Sequence, residues 1–378
     1  MSSPEIRLKF HAQVSHIPHP HFIQSVNFNV HTAPHGLPTM NTPSPCAAKV
    51  PTKGMAAYAS TTFFQPHRAR EAIRDAHAKT IPPLMGYYAG ISSIPNTRFL
   101  APMGFDAVWI DWEHSSCNVE TMTTMVHDSI FMSGGRTIPF VRVPGHDHAS
   151  IGYALDAGAS LIIPQVETVS EAKHVISAAK FNASRPSVPG TRSAPPFRYI
   201  IGVTDQPYDP ARTLHECLND QAAIMIQVES LAGIENLDSI LAECGSDIDM
   251  VWFGSLDCRV SMGLPGNSGL GGAEPEWLAA AAKFREIIDK HDKPYAGFGF
   301  SGPPFGAVEG FVESAERMSM MMMAADVLAF MGMGNALQEA KALVAPLVQR
   351  AGGKNGETTN GKVVEEKKTE NGEAIAAR

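Results

Sequence analysis

The sequence predicts an α/β chain whose main domain is a (β/α)8 barrel, and three observations predict it. Short runs of β-branched, aromatic and other apolar residues alternate with longer stretches of helical periodicity. Eight such runs can be counted, which is more than an open doubly wound sheet usually has. Ionisable residues stand at the carboxyl ends of several runs, where barrels of this type place their active sites.

The predicted strands are short apolar runs bounded by turn residues, and helical stretches fill most of the gaps. The methionines Met318 and Met320 to Met323 fall in one such stretch and are predicted to pack within a helix. Gly332 and Gly334 are expected between the last strand and the last helix, either in an anion-binding loop or in a tight turn. The predicted strands are 83–88, 107–111, 138–143, 161–164, 224–229, 250–254, 294–298 and 327–331, and the predicted helices include 119–132, 148–157, 170–179, 234–242, 277–290, 312–323 and 336–347.

Two segments within the predicted barrel look irregular. The interval 181–223 is rich in Pro, Gly, Arg and Ser, so an irregular excursion is expected there. Gly297, Gly299 and Gly302 have the spacing of a dinucleotide-binding loop, but Pro303 follows them instead of a helix. This segment is therefore predicted to be a flexible barrel loop.

Both ends of the chain differ in composition from the barrel. No acidic residue lies between Arg7 and Arg70, and histidine and proline are frequent there, which predicts an irregular N-terminal extension over 1–60. A mitochondrial transit peptide is the alternative for this extension. The barrel domain is predicted over 61–350 and a disordered tail over 351–378, where large apolar residues are almost absent.

The bulk composition excludes several classes of function. A net charge of -8 and a pI near 6.0 argue against a nucleic-acid binder, which needs a basic face. The five cysteines are scattered without a C-x-x-C pair, so neither a disulfide framework nor a structural zinc site is indicated, and the cytoplasm is the expected compartment. No apolar run approaches the ~20 residues of a membrane span. Because the chain is acidic overall, an anionic substrate would need local capture by a metal or an arginine.

Polar side chains occupy the carboxyl ends of four predicted strands. One such residue alone is more often a helix cap or a surface group than a catalyst. A shared position at one rim of a barrel favours a catalytic site instead. The residues are Asp111 at the end of the second strand with Glu113 and His114 directly after it, Arg142 in the third, Gln227 and Glu229 in the fifth and Asp257 after the sixth.

These residue types suit metal-assisted enolate chemistry. Glu229 and Asp257 are the predicted ligands, because carboxylates without nearby Cys or His are hard oxygen donors for Mg²⁺ or Mn²⁺. A 2-oxo acid can chelate such an ion, and Arg142 would add a permanent positive charge beside the developing enolate. His114 suits a general base whose imidazole is oriented by Asp111, directly or through water, with Glu113 as the alternative orienting group.

Seven sequence motifs follow one another along the chain in this order: GFDAVWIDWEHSS, PFVRVPGHD, LDAGASLIIPQVETVSEAK, GTRS, IQVES, LDSILAE and FGSLDCRVSMG. Together they resemble the HpcH/HpaI family of class II pyruvate aldolases, from about Pro82 to the last helix near Val348. The resemblance implies a barrel of the pyruvate and phosphoenolpyruvate superfamily. It also implies a homohexamer in which the final helices are exchanged between neighbouring barrels.

The resemblance implies a role for each candidate residue, and a divalent cation that would be Mg²⁺ or Mn²⁺, with Co²⁺ as a further option. Glu229 and Asp257 correspond to the metal ligands. The other implied roles are contact with the pyruvate oxygen for Arg142, acid-base function for Asp111 and His114, a place near the metal water shell for Gln227, and backbone contact with the pyruvate carboxylate for Ser255 and Leu256.

Two departures from the family pattern concern the shape of the pocket. Ser255-Leu256-Asp257-Cys258 stands where the family has P-x-D-L, and Trp112 replaces a small residue, so the accepted aldehyde is left open. Trp109 and the QVES wording are also similar to the fungal macrophomate synthase branch of the family. The leading prediction is reversible aldol cleavage of a 4-hydroxy-2-oxo acid to pyruvate and an aldehyde. The alternatives are oxaloacetate decarboxylation, an enolate-coupling reaction, or a barrel that has lost catalysis.

Overall fold

The barrel predicted from the sequence is confirmed by the structure, a computed structural model that describes residues 54–58, 65–183, 188–195, 205–269, 271–301 and 308–352. Eight parallel strands are hydrogen-bonded in chain order, and the eighth pairs with the first, so the sheet is closed. The strands are β1 (Leu84–Ala89), β2 (Ala107–Asp111), β3 (Ile138–Arg142), β4 (Ser160–Ile163), β5 (Ile224–Val228), β6 (Met250–Phe253), β7 (Tyr295–Phe298) and β8 (Met320–Ala325).

Helices connect the strands, and six of them begin at a Ser, Thr, Asn or Asp whose side chain accepts a hydrogen bond from the first turn. These caps satisfy N–H groups that would otherwise have no partner. The helices are α1 (Ala69–His77), α2 (Ile94–Leu100), α3 (Val119–Met132), α4 (His148–Ala157), α5 (Val169–Ala179), α6 (Leu214–Gln221), α7 (Leu231–Cys244), α8 (Ser255–Ser261), α9 (Pro275–Lys290), α10 (Val308–Arg317) and α11 (Asp326–Gly352).

The two faces of the strands belong to two separate apolar cores. Trp109, Phe140 and Trp252 pack with one another inside the barrel. Val108 and Val141, one position away along their strands, pack outward against the helices. Because successive strand residues point to opposite sides, a polar residue that is in phase with the inner set projects into the barrel mouth. This alternation positions the candidate site.

The amino-terminal end of the barrel is closed by α1. Its Arg70 donates through Nε to Asp249, which stands just before β6, at 2.6 Å. Met55–Tyr58, within the predicted extension 1–60, forms a 3₁₀ helix whose Tyr58 hydroxyl donates to Asp75 of α1 at 2.6 Å. The remainder of that extension, apart from Gly54, and the predicted tail beyond Gly352 lie outside the described residues.

The eighth strand was placed wrongly by the sequence pattern. The methionine run was expected in a helix and 327–331 in the strand, whereas β8 is Met320–Ala325 and 327–331 lies within α11. Methionine is a good helix former, but here three consecutive methionines are fully buried, and packing overrides that propensity. The side chain of Met322 fills the space over Gly86 of β1, where a Cβ atom would lie 2.7 Å from its sulfur. Gly332 and Gly334 are also helical residues of α11 instead of turn residues.

The described part of the interval 181–223 contains a helix that the sequence prediction missed. Thr213 caps the amino-terminal end of α6, and the side chains of Thr213 and Glu216 exchange hydrogen bonds with each other's backbone N–H groups. Thr-x-x-Glu is the sequence signature of such a capping box. Residues 184–187 and 196–204 of this interval, and Gly302 of the glycine-rich loop, lie outside the described residues.

The last helix stands away from its own barrel. Residues 329–347 of α11 are all exposed, and they include Phe330, Met333, Leu343 and Leu347. No helix within the described ranges is both long and apolar enough to span a bilayer.

Candidate active site

Strand alternation brings Asp111 and Arg142 together in the barrel mouth. Asp111 ends β2 two residues after Trp109, and Arg142 ends β3 two residues after Phe140. Because Trp109 and Phe140 belong to the inner core, the two charged residues also face inward. The register of the two strands places Asp111 opposite Arg142.

The two side chains form a buried, two-pronged ion pair. Arg142 donates from Nε to Oδ1 of Asp111 at 3.0 Å and from Nη2 to Oδ2 at 2.5 Å. Asp111 is only 1% exposed. Burial alone would raise the pKa of Asp111, but the hydrogen bonds and charge of Arg142 hold it below its ordinary value. Burial opposes the charge of Arg142 as well, yet Asp111 raises the arginine pKa. Both groups therefore remain charged.

One nitrogen of Arg142 is left over by these contacts. Nε also lies 3.2 Å from Oε2 of Glu113, and Nη2 donates weakly to the hydroxyl of Tyr88 at 3.4 Å. No described residue accepts a hydrogen bond from Nη1. The guanidinium carbon lies 5.2 Å from the ring centroid of Trp109, so an indole supports the cation from one side. Nη1 is accordingly the donor that Arg142 can offer to a ligand.

The imidazole of His114 faces Glu113 and not Asp111. Oδ1 of Asp111 accepts the backbone N–H groups of Glu113 at 3.1 Å and of His114 at 3.2 Å. The ring Nε2 of His114 instead lies 3.6 Å from Oε2 of Glu113, and its side chain is 63% exposed. Burial raises the pKa of Glu113, and Arg142 and His114 offset part of that rise. Of the two orienting groups considered from the sequence, the geometry fits Glu113, while Asp111 shapes the turn.

Glu229 is buried at the end of β5 and held at both oxygens. Gln227 Nε2 donates to Oε1 at 2.8 Å, and the backbone N–H of Gln165 donates to Oε2 at 3.0 Å. Gln165 adopts a left-handed conformation with φ of 50°, which is uncommon for a residue other than glycine. Burial first and the charge of Asp257 second raise the pKa of Glu229 to about 7. A buried acid of this kind gains from a neighbouring cation.

Gly254 allows Glu229 to approach the neighbouring strand. Its backbone N–H donates to the carbonyl of Val228 at 3.0 Å, which aligns β6 with β5. A Cβ atom at Gly254 would lie 2.3 Å from Oε1 of Glu229, so no larger residue fits there without moving the carboxylate. The chain then enters α8, which carries Asp257 in its first turn. The glycine thus places the two acids at one rim.

Ser255 and Leu256, the predicted contacts of a pyruvate carboxylate, form the start of α8. Ser255 Oγ donates to the carbonyl of Gly269 at 2.5 Å and ties the helix to the loop that follows it. The side chain of Leu256 is exposed. The backbone N–H groups of both residues therefore lie beside Asp257 at the rim.

A cavity of about 640 Å³ opens over the two acids. Its described lining contains five carboxylates but no lysine or arginine, so it attracts cations. Within the described part of the chain, no group of three or more His, Cys, Asp and Glu is arranged to hold a metal ion. The protein thus offers a pair of carboxylates, an arrangement in which water and substrate complete the shell of a hard cation. The lining residues are Glu113, Pro144, Gly145, His146, Pro164, Gln165, Glu167, Glu171, Glu229, Ser230, Asp257, Val260 and Ser261.

Two residues of the site were not identified from the sequence. Tyr88 ends the predicted first strand and donates its hydroxyl to Oδ2 of Asp111 at 2.5 Å. A polar residue at a strand end was the signal used for Asp111, and it was also present at Tyr88. Gln165 contributes only a backbone N–H, which has no side-chain signature, so no sequence pattern would have found it.

Comparisons with a family model and with known proteins all point to the same family. A family model described as HpcH/HpaI aldolase/citrate lyase matches residues 86–289, the range that contains Asp111, Arg142, Glu229 and Asp257. The 4-hydroxy-2-oxo-heptane-1,7-dioate aldolase of Salmonella dublin is 31% identical over 199 residues, which are 52% of this chain and 70% of the relative. The hydroxypyruvate/pyruvate aldolase of Roseovarius nubinhibens is 32% identical over 186 residues, which are 49% of this chain and 67% of the relative.

One solved structure extends the similarity over more of the chain. Macrophomate synthase is 30% identical, covers 78% of this chain and 96% of its own, and superposes with a TM-score of 0.66. This similarity agrees with the resemblance to the macrophomate synthase branch that the Trp109 and QVES segments predicted. The same barrel of this chain is therefore similar both to aldolases and to macrophomate synthase.

Proposed function

Because the chain belongs to the HpcH/HpaI aldolase/citrate lyase family, we propose that it cleaves a 4-hydroxy-2-oxo acid reversibly into pyruvate and an aldehyde, with a divalent cation at Glu229 and Asp257. The enzyme is a lyase, as its aldolase relatives indicate. The metal-dependent part is carried by one observation, the buried carboxylate of Glu229 beside Asp257 in a cavity without a described lysine or arginine.

The residues present fit a hard divalent cation such as Mg²⁺ or Mn²⁺, with Co²⁺ as a further option. Both donors are carboxylates, no described Cys or His completes a group of three metal ligands with them, and Gly254 leaves room for the Glu229 side chain. When bound, the cation supplies a Lewis acid next to the keto oxygen of the substrate. Gln227 orients Glu229 through its amide N–H, and its Oε1 is buried without a described donor. That oxygen is available to a water molecule in the metal shell.

Arg142 would stabilise the charge that forms when the substrate is cleaved. As the C3–C4 bond breaks, its electron pair moves towards C2 and negative charge grows on the oxygen at C2. A guanidinium that is already fixed by Asp111 can place Nη1 beside this oxygen without reorganising during the step. Asp111 itself is fully occupied by donors and acts by holding Arg142.

His114 would exchange the protons of the reaction. Cleavage requires removal of the proton from the C4 hydroxyl, and release of pyruvate requires a proton at C3. With Nε2 directed towards Glu113, the ring leaves Nδ1 for this exchange. Its exposure places His114 at the open side of the rim, where an aldehyde can depart.

Pyruvate release from 4-hydroxy-2-oxo acids, with neutral and with carboxylated tails, tests the proposal. We expect release to stop after removal of divalent metal and to return on addition of Mg²⁺ or Mn²⁺, because Glu229 and Asp257 alone cannot balance the developing charge. Calorimetry with Mn²⁺ provides a reading that does not need activity. Full turnover after exhaustive chelation would contradict the metal-dependent mechanism.

A second candidate function is decarboxylation of oxaloacetate, or coupling of the resulting enolate to another molecule. The similarity to macrophomate synthase over 96% of that chain favours it. Loss of carbon dioxide from oxaloacetate and aldol cleavage of a 4-hydroxy-2-oxo acid both generate the enolate of pyruvate, so the same residues would serve both reactions. Metal-dependent release of carbon dioxide from oxaloacetate, without pyruvate release from any hydroxy-oxo acid, would select this function.

The exposed apolar residues of α11 support a homo-oligomer, which we infer to be the hexamer implied by the family resemblance. Several large apolar side chains exposed along one helix mark a contact with another protein surface. Leu343 and Leu347 lie one helical turn apart and are 80% and 58% exposed. We therefore expect light scattering to give about 240 kDa, six times the 40.6 kDa chain.

Substitution of both leucines by Glu should convert this species into a smaller one. A matched charge change, Lys341→Glu, lies on the same helix and provides the control. A wild-type monomer, or a Leu343→Glu/Leu347→Glu protein of unchanged mass, would contradict the role of α11 in assembly.

A further inference from the structure

Tyr88 brings a hydroxyl to the Asp111–Arg142 pair from a strand that carries none of the residues predicted for the site. It lies on the inner side of β1, opposite Trp109 in the register with β2. The hydroxyl donates to Oδ2 of Asp111 at 2.5 Å and receives Nη2 of Arg142 at 3.4 Å. Tyr88 thus contacts both members of the ion pair.

The ring of Tyr88 is fixed without help from its hydroxyl. It packs edge-on against Trp109 at 5.5 Å and against Phe298 at 6.3 Å between ring centroids. Trp109 in turn supports the guanidinium of Arg142. Because these contacts use only the aromatic ring, phenylalanine can occupy the same place, and the hydroxyl can be removed without loss of packing.

The hydroxyl completes the hydrogen bonds of Asp111. Oδ1 accepts three N–H groups, from Arg142 and from the backbones of Glu113 and His114. Oδ2 accepts Nη2 of Arg142 and the hydroxyl of Tyr88. Without that hydroxyl, one buried oxygen of Asp111 would retain a single donor, and the carboxylate could rotate with the arginine attached to it.

We propose that Tyr88 is a positioning residue of the lyase reaction, which holds the Asp111–Arg142 pair so that Nη1 points at the substrate oxygen. This inference rests on the proposed function. Asp111 binds the guanidinium along one edge, Glu113 lies beside Nε, and the Tyr88 oxygen at Nη2 supplies the third point of contact. Three points of contact fix the plane of the guanidinium. Because the group is rigid, they also fix the direction in which the remaining nitrogen, Nη1, points.

Tyr88→Phe tests the proposal, and Tyr87→Phe is its matched control. Tyr87 is the preceding residue, buried on the outer face of β1 with its ring 5.0 Å from that of Phe105, so the same atom is removed on the opposite side of the strand. We expect Tyr88→Phe to lower kcat on the order of tenfold to a hundredfold, with KM changed less than about threefold, because the lost alignment matters most when charge develops. Tyr87→Phe should leave kcat and KM unchanged.

A double variant separates positioning from an independent effect. If Tyr88 acts through Arg142, Tyr88→Phe should lower kcat by less than about twofold in an Arg142→Lys background. Equal effects in both backgrounds would overturn the proposal. So would kcat values for Tyr88→Phe and Tyr87→Phe that are indistinguishable in proteins with matching thermal midpoints.

Binding of oxalate, a planar dianion that resembles the enolate of pyruvate, distinguishes failure of this inference from failure of the proposed function. With the Mn²⁺-loaded protein we expect Tyr88→Phe, but not Tyr87→Phe, to weaken oxalate at least about tenfold. An inactive wild type that shows this difference would refute the lyase reaction and keep the positioning role. Unchanged oxalate affinity in Tyr88→Phe, or no oxalate binding by the wild type, would overturn the positioning role.

Discussion

Replacement of Glu229 by Gln is expected to lower kcat for pyruvate release by about a thousandfold or more, since Lewis-acid stabilisation is worth several kcal/mol and each 1.36 kcal/mol is tenfold in rate. Glutamine keeps the size of the side chain and can still accept the N–H of Gln165. It removes the negative charge that the cation would neutralise. The loss should be measured as kcat in a coupled assay for pyruvate and as Mn²⁺ affinity by calorimetry.

Glu167→Gln is the matched control for this substitution. Gln165-Val166-Glu167 repeats the Gln-Val-Glu wording of Gln227-Val228-Glu229, and both glutamates line the cavity. Glu167 accepts a hydrogen bond from the Ser230 hydroxyl, which glutamine can also accept. We expect kcat within about threefold of wild type, as for substitutions away from a critical contact. Equal losses in the two variants would show that charge in the cavity, and not ligation by Glu229, supports activity.

Metal affinity should also depend on pH through Glu229. Burial and Asp257 raise its pKa to about 7, so above that value the carboxylate is free to bind a cation. Below it, a proton competes for the same oxygens, and Mn²⁺ affinity should fall by up to about tenfold for each pH unit. In Glu229→Gln this pH dependence should disappear from the weaker binding that remains. A Mn²⁺ affinity that stays constant over about two pH units below this pKa, where Glu229 is mainly protonated, would contradict ligation by Glu229.

The strand pattern allowed most of the barrel to be predicted, because a buried strand needs an apolar run and little else. The methionines of β8 show where this reasoning stops. Their unbranched side chains favour a helix locally, and only the closure of the sheet between β7 and β1 requires a strand at that position. The helix α11 then begins at Asp326, whose carboxylate accepts the N–H groups of Gly90 and Ile91 after β1. Contacts of this range have no local signature.

The candidate site was predictable where side-chain type and strand phase suffice. Asp111 and Arg142 end β2 and β3, Glu229 directly follows β5, and all three are in phase with the inner core. Their place at the ends of apolar runs is visible in the sequence. The partner of the His114 imidazole was not predictable, because Asp111 and Glu113 are both within reach along the chain. Only the register of β2 with β3, which gives Asp111 to Arg142, leaves Glu113 for the histidine.

Replacement of Arg142 by Lys is expected to lower kcat by about a hundredfold to a thousandfold, the usual cost of losing one donor to a developing oxyanion. An ammonium can pair with Asp111, but it cannot bind both carboxylate oxygens and still direct a separate nitrogen at the substrate. Lysine is preferable to alanine for this test. Alanine would leave Asp111 buried without its partner, at a cost of about 3–5 kcal/mol in stability.

Arg98→Lys provides the control, because Arg98 pairs with Asp128 at 2.9 Å on the surface and is 55% exposed. Arg98→Lys should retain the wild-type kcat. Arg142→Lys should retain Mn²⁺ affinity, because Arg142 makes no hydrogen bond to Glu229 or Asp257. Loss of turnover with Mn²⁺ still bound would then separate the fixed positive charge from the metal. A wild-type kcat in a folded Arg142→Lys protein would show that the reaction does not need the guanidinium. It would also contradict the positioning roles of Tyr88 and Asp111, which act through that group.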